Sequence, residues 1–420
     1  MWKKSNLWLF LMFASVVLQA QQLTLDEAVL QARLAYPLLK QQQLFDQASA
    51  LKNKNINSNW MPTVSINAQA TYQSDVTALP ISLPGIDIPE LKKDMYKMTL
   101  DVQQLIYDGG LSSAQRDIEA ADLAISQESL NADLKKIELM TSDVYFSILT
   151  LRKSREQMIL MQDELNQQIS LMESRVKNGV VLQSSADLMR VEQLSLKQKI
   201  SDLDELIQAN FDMLGTLLST PVSETTEMAV PSSAIVAYDL KLETPELKLF
   251  ELNQSKLSSS QDMLKVRNMP MVAAFGQAGY GRPGLNMFTT QFDMWYLVGV
   301  KASWSLWKGG SNKREQQILQ IQRQSIDIQR EAYITKMELA RSAQWQKIES
   351  LNNQLSTDEQ ILELRISILK SYESQLEGGV ITATDYLNQL NNKTAAAITL
   401  EMHRIQLAKE QYNYLRTFGK

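Results

Sequence analysis

Leu105-Ile106-Tyr107-Asp108-Gly109-Gly110 ends one kind of sequence and begins another. Beyond the glycine pair no glycine or proline occurs until Lys177-Asn178-Gly179. The arrangement recurs at Gly309-Gly310, after which the only glycine before Gly379 is Gly378 and there is again no proline. The intervals Gly110 to Gly179 and Gly310 to Gly379 are equal in length, and each reads as one uninterrupted helix of roughly 100 Å. Helices in ordinary globular domains average about 11–12 residues. A chain with two such rods is built on length.

The first interval carries a seam with alternating steps of four and three: Leu130, Leu134, Ile137, Thr141, Val144, Ile148, Leu151, Arg155, Met158, Gln162, Leu165, Ile169, Met172 and Val176. It is apolar except at Thr141, Arg155 and Gln162, which predicts coiled-coil packing. A shorter helix is expected after Ser184, ending near Leu218.

Upstream of the glycine pair the period falls from about 3.6 to 2 residues. Val64, Ile66, Ala68, Ala70 and Tyr72 alternate with Thr63, Ser65, Asn67, Gln69 and Thr71, a strand with one apolar and one polar face. Pro80, Pro84, Gly85 and Pro89 mark a loop, after which Tyr96, Met98, Leu100 and Val102 alternate with Lys97, Thr99, Asp101 and Gln103. Before these strands, Thr24 and Glu27 have capping-box spacing, and Tyr36-Pro37 should interrupt the helix they start.

All of this occurs twice. Thr244-Pro245-Glu246-Leu247-Lys248 repeats Tyr36-Pro37-Leu38-Leu39-Lys40, and Val272, Ala274, Gly276, Ala278 and Tyr280 repeat the first apolar strand face. Tyr296, Val298, Val300 and Ala302 repeat the second, with the difference in length absorbed in the loop 281–293. The expected organisation is a signal peptide at 1–20, a first repeat at 21–218, a linker at 219–243 and a second repeat at 244–420. The signal-peptide reading rests on the basic start Met1-Trp2-Lys3-Lys4, the apolar run Leu7 to Leu18 and a cut after Ala20, with a retained anchor helix as the alternative.

The remainder has no apolar run near the ~18 residues a spanning helix needs. Membrane contact must therefore come from strands or from the surface. The fold class expected is mainly α with a small β part. Aromatic residues gather near the strand ends: Tyr72, Tyr96, Tyr280, Trp295 and Tyr296 on the loop side, Tyr107, Trp304 and Trp307 on the helix side. Tyr107, Trp295 and Trp307 are out of phase with the apolar faces, so the girdle is approximate. The pattern fits transmembrane strands with a wet polar face carrying Asp101 and Lys301. Four strands cannot close on themselves, and a soluble sheet with one buried face is the alternative.

Chemistry is sparse. One histidine, His403, and no cysteine leave no common nucleophile–base pair or His/Cys metal cluster, so no enzyme and no cofactor are expected. His403, beside Arg404, reads as a solvated or packed side chain. With 42 basic against 47 acidic residues and a net charge of −5, nothing suggests nucleic acid. No phosphate-binding glycine loop is present, so energy for any transport must come from a partner. The 19 methionines read as scattered core residues. Ser184-x-x-Asp187 and Thr382-x-x-Asp385 both have capping-box spacing, which predicts that each aspartate favours a helix N-terminus.

The chain resembles the TolC family of outer-membrane efflux channels over nearly all of its length. The matching features are Leu23-Thr24-Leu25-Asp26-Glu27-Ala28 with the later Tyr36-Pro37, the two glycine pairs, and Asn178-Gly179-Val180 and Gly378-Gly379-Val380. The resemblance implies a homotrimer in outer-membrane lipids, with a twelve-stranded β-barrel continued by a coiled-coil α-barrel across the periplasm. It implies an exit duct that meets a periplasmic adaptor protein and an inner-membrane pump of RND or ABC type. The tip residues Asn178, Gly179, Val180, Gly378, Gly379 and Val380 would then face the adaptor. Asp385 falls where the family commonly carries a gate carboxylate, Asp187 matches less well, and Asn388 is neutral where some relatives place a second acid. A type I protein-secretion role and a non-conducting coiled-coil envelope protein are the alternatives.

Overall fold

A computed structural model describes residues 22–76, 92–231, 238, 240–287 and 289–419. The expected signal peptide, the loop residues Pro80, Pro84, Gly85 and Pro89, and linker positions 232–237 and 239 lie outside the described residues. The elements are α1 (Leu25–Ala35), α2 (Gln41–Ser58), β1 (Thr63–Tyr72), β2 (Asp94–Tyr107), α3 (Leu111–Lys177), α4 (Gln183–Leu218), α5 (Pro245–Val266), β3 (Met271–Arg282), β4 (Asp293–Ser303), α6 (Ser311–Glu377) and α7 (Ala383–Phe418). The two glycine-bounded intervals are single helices of 67 residues each, α3 and α6. Each is followed by a helix of 36 residues. Among the described residues no helix is long and apolar enough to cross a membrane.

The chain folds as two compact units, and each draws on both halves of the sequence. One gathers the residues up to Leu39, Asp133–Thr244 and the chain from Met337 onward. The other comprises Lys40–Ala132 and Pro245–Lys336.

In the first unit, α1 starts as its sequence demands. The Thr24 N–H donates to Glu27 Oε2 at 3.0 Å, and the Glu27 N–H donates back to Thr24 Oγ1 at 3.3 Å. Tyr36 is extended, so α1 stops one residue before Pro37. The segment entering α1 pairs with the linker: the Leu23 N–H donates to Glu227 O at 2.9 Å and the Ala229 N–H to Leu23 O at 3.2 Å. The buried Tyr145 hydroxyl donates towards both Leu23 O and Ala229 O, and Arg152 holds Thr226 O at 2.9 Å. The core around this anchor includes Ala28, Ala32, Phe146, Ile148, Phe211 and Leu214.

The seam of α3 follows the predicted spacing. Leu130, Leu134, Ile137, Thr141, Val144, Ile148, Leu165, Ile169 and Met172 are buried, and the remaining seam positions are half-buried. Even Thr141 needs no outside partner, because its hydroxyl donates to Ile137 O one turn back at 2.8 Å. His403 is packed, with its Nδ1 2.6 Å from Asp358 Oδ2.

The second unit is organised by one antiparallel sheet in the order β1-β2-β3-β4. Its register aligns the two sequence faces across all four strands. Ile66, Leu100, Ala278 and Tyr296 form one row on the apolar face. Ser65, Asp101, Gln277 and Leu297 form the neighbouring row on the opposite face. The β2–β3 register shifts between Leu105 and Tyr107, a bulge that pairs Tyr107 with Val272. Tyr107 thus rejoins the apolar face, which simple alternation denied it. Trp295 stays on the polar face, opposite Gly279.

At the end of β2, Asp108 caps α3: Oδ1 accepts from the Gly110 N–H at 2.9 Å and Oδ2 from the Ser112 N–H at 2.7 Å. Burial pushes the Asp108 carboxyl up, but donation from the Ser112 hydroxyl and the two amides outweighs it and leaves the group below the usual carboxylate range. Lys308 occupies the corresponding place before Gly309-Gly310, where no carboxylate cap forms.

Candidate functional site

Two regions carry the candidate functional residues, the helix tips of the first unit and the polar sheet face of the second.

At the tips, α3 and α6 end in the same turn. The Val180 N–H donates to Arg175 O at 2.9 Å and the Gly179 N–H to Val176 O at 2.9 Å. The second copy has Val380 to Gln375 O at 2.9 Å and Gly379 to Leu376 O at 3.2 Å. These paired bonds make a Schellman motif, whose C′ residue must be left-handed; Gly179 has φ +73° and Gly379 φ +69°. The usual apolar partner of such a turn is packed inward, yet Val180, Leu182 and Val380 are 70%, 76% and 75% exposed. Each tip therefore presents bare apolar side chains on a rigid turn.

The next helices start differently. Thr382 caps α7: Asp385 Oδ2 accepts from the Thr382 N–H at 3.0 Å and from its hydroxyl at 2.6 Å, and the Asp385 N–H donates to Thr382 Oγ1 at 3.2 Å. The hydroxyl bond first, and the amide bond second, hold the Asp385 carboxyl below the ordinary carboxylate range. Asp385 and Asn388 are both exposed and one turn apart.

Asp187 does not cap α4. The N-cap there is Leu182, with φ −75° and ψ 145° and no side-chain bond to the helix. Its backbone matches that of Thr382, at φ −87° and ψ 161°, so the two tips turn alike and differ only in side chain. Asp187 falls two residues too late; it accepts from Gln183 Nε2 at 2.9 Å and lies 3.5 Å from Arg190. The capping spacing of Ser184 and Asp187 is thus coincidental, because the preceding Schellman turn decides which residue is extended.

Behind the tips, α3, α4, α6 and α7 share an apolar cluster that includes Leu165, Ile169, Met189, Leu376, Tyr386 and Leu390. Polar links tie it together: Arg175 Nη1 donates to Leu376 O at 2.9 Å, Gln168 Nε2 to Glu373 at 2.7 Å, and Lys393 Nζ to Glu164 at 2.6 Å. Glu164 Oε2 and Gln168 Oε1 are buried without a partner. Burial, and then the charges of Glu373 and Glu164, push the Tyr386 phenol well above its ordinary value. Sequence reasoning missed this cross-helix set, although Glu164 and Gln168 flank the seam residues Leu165 and Ile169, where interhelical pairs form.

On the sheet, Asp101 is the hub of the polar face. Its Oδ2 accepts from Asn67 Nδ2 at 2.8 Å and from the Thr99 hydroxyl at 2.7 Å, and its Oδ1 accepts from Gln277 Nε2. These donors come from β1, β2 and β3, so one carboxylate ties three strands. Lys301, nearer the helix end of β4, is exposed. The opposite face is bare of cover: Ile66, Met98, Tyr296, Val298 and Val300 are 65%, 54%, 76%, 71% and 67% exposed. Among the described residues no group of three or more His, Cys, Asp or Glu side chains could hold a metal ion.

No family model matches the chain, and no curated protein matches it either. Solved structures do. The outer membrane protein VceC of Vibrio cholerae is 15% identical, with a TM-score of 0.70 over 94% of this chain and 96% of that one. CusC, described in connection with transmembrane channel formation, is 13% identical, with a TM-score of 0.71 over 94% and 92%. The CmeC outer membrane channel of Campylobacter jejuni is 12% identical, with a TM-score of 0.65 over 94% and 85%. Matched along almost all of its length to structures of this kind, the chain has the fold of a TolC-like outer membrane factor.

Proposed function

We propose that three copies of this chain form an outer-membrane exit duct, the outermost component of a tripartite efflux system. The observation that carries this reading is the sheet: four antiparallel strands with one apolar face exposed and β1 and β4 each paired on one side only, among the described residues. Contiguous exposed apolar surface of this size marks contact with a membrane or a partner. In lipid an open sheet edge leaves backbone N–H and C=O groups unsatisfied, so four strands must be closed by copies of themselves. Three chains close the barrel with the apolar rows outward, and Asp101 and Lys301 then line a wet interior. The likeness in fold to outer-membrane channels supports an outer-membrane location with a large periplasmic helical part.

The tips give the duct its partners. Exposed Val180, Leu182 and Val380 on fixed turns suit a periplasmic adaptor, which links the duct to an inner-membrane pump. Asp385 and Asn388 point away from the tip core, and three copies of Asp385 near a threefold axis make a ring of like charge. Such a ring favours cations and, through mutual repulsion, widening of the passage. Asp187, held by Gln183 and Arg190, contributes less net charge.

A photo-reactive residue at Gln183 or Thr384 tests the reading in intact cells. Crosslinks to an adaptor, together with an oligomer of three chains in the outer-membrane fraction, are the expected result. Crosslinks confined to cell-wall components, or a monomer absent from the outer membrane, would overturn it.

A further inference from the structure

The duct reading, on which this inference rests, leaves Trp295 unexplained, because it places an indole on the water-facing wall. The register is unambiguous: Asn67, Thr99, Gly279 and Trp295 form one row on the face that carries Asp101. Gly279 is buried, and a Cβ there would overlap the indole, so the ring lies flat on the β3 backbone. Gly299 does the same for Phe275, whose Cζ is 2.9 Å from where its Cβ would be. Leu297, 45% exposed, stands between them. Lys97 Nζ leans over the indole, 4.9 Å from the ring centroid.

We infer that Trp295 and Lys97 form a binding subsite for planar aromatic anions, one per protomer, on the inner wall of the barrel. The half of the wall made by β1 and β2 presents Thr63, Ser65, Asn67 and Gln69, whereas the β3–β4 half presents Phe275, Leu297 and Trp295. The flat indole and Leu297 give an aromatic ring a surface to stack on. The sign of the ligand follows from the charge that stands at the indole. Asp101 is tied into the sheet by three hydrogen bonds, and Asp293 stands at the loop end of β4, two strands from Lys97 in the same row. Lys97 makes no ion pair among the described residues, and its ammonium is held beside the indole by the ring's quadrupole. An anionic substituent on a stacked ring meets that ammonium.

Calorimetric titration of the purified, detergent-solubilised protein with 2-naphthalenesulfonate tests this. Saturable binding is expected, with Trp295→Leu and Lys97→Gln each weakening it about three- to tenfold, the scale of one aromatic stacking contact. Methanesulfonate, the same charge without the ring, should give no saturable heat. Absence of binding, equal binding of methanesulfonate, or indifference to both substitutions overturns the inference. Lys97→Gln removes no packed side chain, so its result stands even if Trp295→Leu fails to fold. Conductance of the same preparation in planar bilayers scores the duct reading separately: a protein that conducts without binding the probe sinks the subsite alone.

Discussion

Asp385 is one side chain with two chemistries, a helix cap and a negative charge near the tip. The two separate by substitution. Thr382→Val removes the hydroxyl that Asp385 grips but leaves the carboxylate; Asp385→Asn removes the charge and keeps an acceptor for the Thr382 N–H. If the charge gates, Asp385→Asn alters the cation preference of single channels in planar bilayers and Thr382→Val does not; equal effects would reduce Asp385 to a cap. The cap has its own pH signature. Because the Asp385 pKa is lowered in the fold, its bonds stabilise α7 above the ordinary carboxylate range and are lost as pH falls through the depressed value. Wild-type protection of the first-turn amides of α7 over Thr382→Val, followed by hydrogen exchange, should therefore be constant at neutral pH and shrink in acid to the part given by the bond from the Asp385 N–H to the Thr382 hydroxyl, which needs no charge. A difference that did not shrink below the depressed pKa would contradict this. Thr382 and Asp385 were legible in the sequence because a capping box is local, spanning four consecutive residues. Asp187 misled because spacing does not say which residue is extended; that is set at Leu182 by the turn before it. The link from Lys393 to Glu164 was illegible for another reason, since it depends on how α7 meets α3.

The elements follow from their boundaries. Gly110 to Gly179 and Gly310 to Gly379 could be read as helices because only glycine and proline end a helix cheaply, and neither interrupts the seam. The same glycines differ in what surrounds them, which gives a quantitative contrast. Gly379 has φ +69° and nothing within 4 Å of where a Cβ would sit, so Gly379→Ala carries only the backbone cost, about 1 kcal/mol. Gly109 also has φ +69°, but its Cβ would lie 2.6 Å from Met269 Cβ. Gly109→Ala must move that neighbour as well, adding roughly 1–3 kcal/mol of overpacking. Urea unfolding of the solubilised protein should rank Gly109→Ala as clearly less stable than Gly379→Ala, with Gly379→Ala showing instead faster proteolysis at the tip. The reverse order would mean that the glycine pair is not the tight junction between β2 and α3. The bulge at Leu105 and Tyr107 leaves a trace in the sequence, where Gln104 and Leu105 break the alternation, but only the pairing with β3 shows that an extra residue causes the break.

At the scale of the whole molecule, the two faces of the sheet decide what kind of protein this is. Alternation made both faces legible: it already set Trp295 out of phase with Tyr296, and the register places Trp295 on the polar side. Leu297 and Val298 are chemically similar neighbours that the same register divides, Leu297 in the row of Asp101 and Val298 opposite Gly276. If the Val298 face meets lipid, Val298→Lys drives an ammonium into hydrocarbon at a cost of about 2–4 kcal/mol near the midplane. Leu297→Lys puts the same charge into water, on the face that carries Asp101, and costs far less. The two variants should therefore part company in the outer-membrane fraction: Leu297→Lys accumulates as heat-resistant oligomer and Val298→Lys does not. In a soluble protein that buries the apolar face against a partner, Val298→Lys would also fail, but the wild type would then leave the membrane fraction in carbonate wash. Retention of the wild type together with equal tolerance of both lysines would place neither face in lipid, and the closed barrel would have to be abandoned.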